Sequence, residues 1–157
     1  MSRVVMLVAL LVAGCGFQMQ GALIIPPEMA RTYISIGDEN SQFYRALRKQ
    51  LQEAGVDIVD SAAASTATLS ITFDETDQRV LSVSARNVPT EYEVYYTIQY
   101  GIDDGVQNLL EPQTLTVTRD YTYDSRLVLG KEREEELLRK AIVDDLVHIV
   151  LKQIATL

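Results

Sequence analysis

The chain has 157 residues, with 22 acidic against 14 basic side chains and a net charge of −8. It carries one histidine and one cysteine, and 47% of its residues are hydrophobic. That balance excludes a broad nucleic-acid surface, which needs clustered positive charge, and one cysteine excludes an internal disulfide.

Met1-Ser2-Arg3 is a short positive head, Val4 to Val12 is almost wholly aliphatic, and Ala13-Gly14 supplies small residues directly before Cys15. The order charge, apolar core, small pair, cysteine is that of a lipoprotein signal peptide. The apolar run stops short of the ~20 residues that a transmembrane helix needs. The expectation is that residues 1–14 are removed and that Cys15 becomes a lipidated N-terminus. Losing Arg3 leaves 13 basic against 22 acidic residues, a net charge of −9. In enteric-type bacteria an aspartate after the cysteine holds a lipoprotein at the inner membrane, and Gly16 in that place favours the outer one.

Residues 15–30 contain Gly16, Gly21, Pro26 and Pro27 without periodic pattern and read as a tether. Residues 31–157 form one domain. Tyr33-Ile34-Ser35-Ile36 is a strand, and Gly37-Asp38 ends it. Ser41 caps a helix whose apolar positions are Phe43, Tyr44, Leu47, Leu51 and Ala54. Gly55 closes it, as a helix C-terminus favours a residue tolerant of positive φ. Val56 to Val59 is extended again, and Ser61 to Thr68 reads as a loop.

Three long strand patterns follow. Leu69, Ile71 and Phe73 alternate with polar residues, and the stretch continues through Val80–Ser84 with an irregularity near Glu75–Asp77. Tyr92, Val94, Tyr96, Ile98 and Tyr100 alternate next, then Leu115, Val117, Arg119, Tyr121 and Tyr123. Asn87-Val88-Pro89 and Asp103-Asp104-Gly105 supply the turns of an antiparallel meander. After Gly130 a long helix begins, with Glu132, Glu134, Glu135 and Glu136 suiting its positive N-terminal end. Leu138, Ile142, Leu146, Ile149 and Ile154 mark its apolar face, widened by Leu137, Val150 and Leu157. One apolar sheet face and two amphipathic helices predict an α+β two-layer sandwich. The sheet has about four strands, mostly antiparallel, with both helices on one face.

Catalytic chemistry finds little support. His148 sits alone in the terminal helix, without a nucleophile in a recognisable motif, and reads as a packing or solvated residue. One histidine and a cysteine committed to lipid do not make a zinc site. Glu132 to Glu136 reads as a solvated helix start. Asp74, Glu75 and Asp77 lack the spacing and glycine of a calcium loop. No cofactor is implied beyond the covalent lipid on Cys15, and no reaction.

The ordered features resemble the LptE family of lipopolysaccharide-assembly lipoproteins. Cys15-Gly16-Phe17 with Gln18-Met19-Gln20-Gly21 is similar to the start of its mature members, although Gln20 stands where arginine is common. Phe43 to Leu51 with Gly55-Val56 continues the likeness. It is clearest at Arg86-Asn87-Val88-Pro89-Thr90-Glu91-Tyr92, which resembles the family's hairpin and Glu-Tyr pair. The resemblance implies a plug inside the LptD β-barrel, in a 1:1 complex at the periplasmic side of the outer membrane. That plug assists assembly of the barrel and insertion of lipopolysaccharide into the outer leaflet. It further implies lipopolysaccharide contact at Arg86, in the hairpin, and at Lys131, just before the terminal helix. An auxiliary lipoprotein of another envelope lipid-transport system shares the anchor and a small α+β body, but does not account for the start at Cys15 or for the hairpin.

Overall fold

A computed structural model describes residues 24–123 and 128–157 of the chain, with side chains of the last stretch from Glu132 onward. Cys15 and the signal sequence lie outside the described residues.

The elements run β1 (Arg31–Ile36), α1 (Gln42–Glu53), β2 (Asp57–Val59), β3 (Ala67–Val83), β4 (Pro89–Asp103), β5 (Asn108–Thr122) and α2 (Val128–Ile154), with single 3-10 turns at Pro27–Met29 and Ala62–Ala64. They form an α+β fold with one five-stranded sheet in the order β2-β1-β3-β4-β5. The meander β3-β4-β5 is antiparallel as expected, whereas β1 runs parallel to both β2 and β3. The sheet is therefore mixed and has one strand more than the sequence suggested. The added strand, β2, is the segment expected to be extended at Val56 to Val59: three residues that follow α1 and pair with β1 at the sheet edge. A strand-helix-strand unit brings its two strands side by side in parallel, which alternation alone does not reveal.

Local chemistry sets the ends of α1. Ser41 Oγ accepts a hydrogen bond from the Tyr44 N–H at 3.0 Å and satisfies one of the helix's orphan donors. Gly55 adopts φ +90°, a left-handed conformation that terminates the helix. Phe43, Tyr44, Leu47 and Leu51 are its buried face. Where the tether side meets the domain, Thr66 Oγ1 donates to the Glu28 carbonyl at 2.6 Å and accepts from the Arg31 N–H at 3.2 Å. Buried Thr32 donates to the Met29 carbonyl at 2.8 Å, and Met29 itself belongs to the core.

The core is the helix-side face of the sheet closed by both helices: Ile34, Leu69, Ile71, Val94, Tyr96, Ile98, Tyr100 and Ile102 against the apolar stripes of α1 and α2. Each fully buried aliphatic side chain contributes about 1.5–3 kcal/mol of transfer free energy. The buried stripe of α2 is Ile142, Val143, Leu146, Val147, Val150, Leu151 and Ile154, steps of three and four residues. It is rotated from the expected face. Ile149 is only partly buried, and Leu137 and Leu157 are exposed. The helix also starts at Val128, so Gly130 and Lys131 lie in its first turn and not ahead of it.

Candidate functional site

Beyond Ile71, β3 loses β1 as a neighbour and continues with β4 and β5 as a three-stranded arm. The change of company coincides with a change of face. A register shift lies between Ile71 and Phe73, upstream of the irregularity expected near Glu75–Asp77. A bulge leaves one residue unpaired and inverts the alternation after it. Phe73 therefore leaves the core side and is 41% exposed. Asp74, Thr76 and Gln78 take the helix-side positions, opposite Ile98, Tyr96 and Val94.

Asp74 and Gln78 bond within the sheet, and Thr76 binds the arm to α2. The Tyr96 hydroxyl donates to Asp74 Oδ1 at 2.5 Å. Burial first, and the neighbouring carboxylate next, push that phenol well above its ordinary range. Arg139 donates to Thr76 Oγ1 at 2.5 Å and to Glu135 at 2.8 and 3.0 Å. The Tyr121 hydroxyl donates to Gln78 at 3.1 Å, and burial together with Glu135 raises its pKa to about 12. Tyr92 stacks on Tyr121 with centroids 5.7 Å apart and meets Tyr123 edge-on at 5.5 Å. Arg119 pairs with Asp145 of α2. On the helix-free face Arg79 pairs with Glu93 and lies 5.5 Å over the Tyr95 ring.

The arm ends in the turn between β3 and β4. Asn87 N–H donates to the Ser84 carbonyl at 2.9 Å, and Ser84 N–H to the Val88 carbonyl at 2.8 Å. Asn87 adopts φ 58°, so Ala85-Arg86-Asn87 is a three-residue hairpin loop, a tight turn followed by a left-handed residue. Asparagine tolerates that conformation better than other side chains. Arg86 is thereby held at the exposed apex. Arg79, Arg119 and Arg139 along the arm each have a carboxylate partner, and Arg86, among the described residues, has none.

Lys131 falls in the first turn of α2 and not in a loop, and its side chain lies outside the described ones. The helix start and the hairpin nevertheless share one end of the sheet. Tyr123, five residues before α2, bonds through its N–H to the Thr90 carbonyl beside the hairpin at 2.8 Å.

The remaining candidates of the sequence have ordinary structural roles. His148 is exposed on a shallow cleft of about 500 Å³ between the helices, beside Lys49, Gln50 and Asp144, and no hydroxyl or thiol lines it. Glu135 and Glu136 pair with Arg139 and Arg133 of their own helix. Among the described residues no group of three or more His, Cys, Asp or Glu side chains is placed to hold a metal ion, and no helix is long and apolar enough to cross a membrane.

One feature of the apex escaped the sequence reading. Val80, Leu81, Val83 and Val88 are 46, 45, 53 and 47% exposed. The adjacent Val80-Leu81 pair, which breaks strict alternation, was the available signal.

The family model for LptE, described as lipopolysaccharide-assembly, matches residues 29–154. The LPS-assembly lipoprotein LptE of Yersinia enterocolitica is 26% identical over 149 residues, covering 94% of this chain and 72% of its own length. That of Yersinia pestis (strain Pestoides F) is 26% identical over 151 residues, covering 96% of this chain and 72% of its own. Among solved structures, an uncharacterized lipoprotein B from Nitrosomonas europaea matches with a TM-score of 0.75 at 25% identity, over 89% of this chain and 90% of that one. The rare lipoprotein B from Shewanella oneidensis matches with a TM-score of 0.70 at 28% identity, over 80% and 94%.

Proposed function

Because this chain belongs to the LptE family of lipopolysaccharide-assembly proteins, we propose that it is the outer-membrane lipoprotein that plugs the LptD β-barrel, helps to assemble it, and takes part in inserting lipopolysaccharide into the outer leaflet. The family consists of lipopolysaccharide-assembly lipoproteins; its members are not enzymes and carry no cofactor. A role in lipopolysaccharide transport at the cell envelope follows from membership. The barrel as 1:1 partner, outer-membrane placement on the periplasmic side and the individual contact residues are the finer parts of the proposal.

In this reading residues 1–14 are a signal peptide, Cys15 carries the lipid, residues 15–30 are the tether, whose last turn is packed onto the domain through Met29, and residues 31–157 are the working domain. Several acyl chains on one cysteine anchor far more firmly than one chain does. Arg86 and Lys131 contact lipopolysaccharide at the hairpin end of the sheet. The observation that carries the lipid contact is the apex itself: an exposed arginine, fixed by a defined turn, with no carboxylate partner among the described residues. A guanidinium presents a planar fork to a lipid A phosphate, and a lysine adds a point charge.

The test replaces Arg86 by Asp and measures two things together. Affinity for purified lipopolysaccharide is expected to fall by about tenfold or more, the equivalent of ~1.4 kcal/mol or more from a charge-assisted bond. Association with the barrel is expected to persist. Unchanged lipid affinity rejects the site.

A further inference from the structure

We propose that the tip of the β3–β4 hairpin is an amphiphile-binding arm, in which Val80, Leu81, Val83 and Val88 take the acyl chains of the lipid A whose phosphate Arg86 engages. This rests on the lipopolysaccharide reading of Arg86 and extends it from the headgroup to the hydrocarbon.

The surface is concentrated. Of the nine large hydrophobic side chains that the described residues leave exposed, four lie within Val80 to Val88. Scattered single apolar residues on a surface need no explanation, whereas a contiguous group on a protruding element marks an interaction site. They share one short end of the hairpin, on both of its faces. Register shifts between Val80 and Ser82 and again between Ser82 and Val83 break the ladder, so the aliphatic side chains do not sort cleanly to one face. Bulges also bend the strand and add twist. Among the described residues neither helix bonds to this stretch, and the last helix-side tie on β3 is Gln78 through Tyr121.

Charge selects the occupant. From Val80 to Thr90 the sequence is Val-Leu-Ser-Val-Ser-Ala-Arg-Asn-Val-Pro-Thr, eleven residues with one cation and no acid, in a chain of net charge −8. An apolar tip whose neighbouring carboxylate, Glu91, is engaged by the Ser82 hydroxyl, and whose one cation is unpaired among the described residues, is complementary to a ligand with an anionic head and hydrocarbon tails. A purely apolar protein groove gives no use to the exposed guanidinium, and a free phosphate gives none to the aliphatic side chains. The hairpin also has the reach. From Phe73 to Val83, β3 extends about 30 Å beyond its pairing with β1, at ~3.3 Å per residue.

The experiment uses the full anchored chain in phosphatidylcholine nanodiscs with two photoactivatable lipid A probes. One carries a diazirine near the end of an acyl chain, the other next to a phosphate. Adducts are mapped by mass spectrometry. Acyl-probe adducts are expected at residues 80–83 and 88, and phosphate-probe adducts at 85–87. Replacing Leu81 and Val88 together by Asp is expected to cut the acyl-probe yield about tenfold while the barrel still co-purifies.

Phosphate-probe adducts at the apex with acyl-probe adducts confined elsewhere overturn the acyl arm and leave the Arg86 reading intact. No hairpin adduct from either probe overturns both. If the double variant keeps its acyl adducts but loses the barrel, the tip is a protein interface and the proposal is wrong. The wild-type map decides the question even if the variant does not fold.

Discussion

Asn87 holds the hairpin apex at φ 58°, a conformation that costs an ordinary L-residue about 1–2 kcal/mol. Asn87→Val is expected to destabilise the domain by roughly that amount in urea unfolding, and Asn87→Gly by far less, since glycine pays no steric penalty there. Equal stability of the two variants would remove the turn as the device that positions Arg86. At this scale the sequence was informative wherever a residue type has one local job. Ser41 as cap and Gly55 as terminator follow from backbone chemistry and the structure has both in place, while the turn expected at Asn87-Val88-Pro89 falls on Ala85-Arg86-Asn87, with Pro89 opening β4. Lys131 was less legible. Helix starts are marked weakly, and Gly130 reads equally as a boundary or as a first-turn residue.

The elements were legible as periodicities, and their faces only where nothing interrupts the period. β4 keeps strict alternation from Tyr92 to Tyr100, so Val94, Tyr96, Ile98 and Tyr100 point to the core as their pattern requires. β3 does not, because its bulge after Ile71 moves Phe73 to the other face, and Leu69-Ile71-Phe73 in sequence gives no sign of that. Two substitutions separate these positions. Leu69→Ala, at a site with 0% exposure, is expected to cost about 2–5 kcal/mol through transfer and cavity terms. Phe73→Thr is expected to stay within about 0.5 kcal/mol, as substitutions on exposed surface do. Chemical denaturation measures both, and a large loss at Phe73 would place it back in the core. The stripe of α2 was ambiguous for a different reason. Aliphatic residues occupy so many positions from Leu137 to Leu157 that two adjacent stripes fit a 3.6-residue period. Only the packed partners choose between them.

For the whole molecule, the sandwich is lopsided: five strands and two helices at one end, a three-stranded arm clamped to α2 at the other. The class of fold was legible because amphipathic helices and an alternating meander admit few arrangements. The parallel pairings of β1 were not, since they depend on contacts distant in sequence. The tyrosines between the sheet and α2 give the fold a pH signature. Burial pushes the Tyr100 phenol up to about 12 from 10.0, with Tyr121 also at about 12 and Tyr96 raised as well. Between pH 10 and 12 the unfolded chain loses phenolic protons that the native state keeps, so native stability falls as pH rises through that window. Urea unfolding at pH 8, 10 and 11 is expected to show little phenolic contribution at the first and a growing loss at the others. Tyr100→Phe should shallow that decline, and an unchanged slope would remove Tyr100 from the account.

The claim on which the rest depends is that this domain works as the anchored partner of a large barrel. The most direct measurement is purification of the full chain from outer membranes with Cys15 and its lipid intact, followed by mass determination of whatever accompanies it. The expected companion is the LptD β-barrel in a 1:1 ratio. Recovery of the intact lipoprotein without a stoichiometric barrel would contradict it.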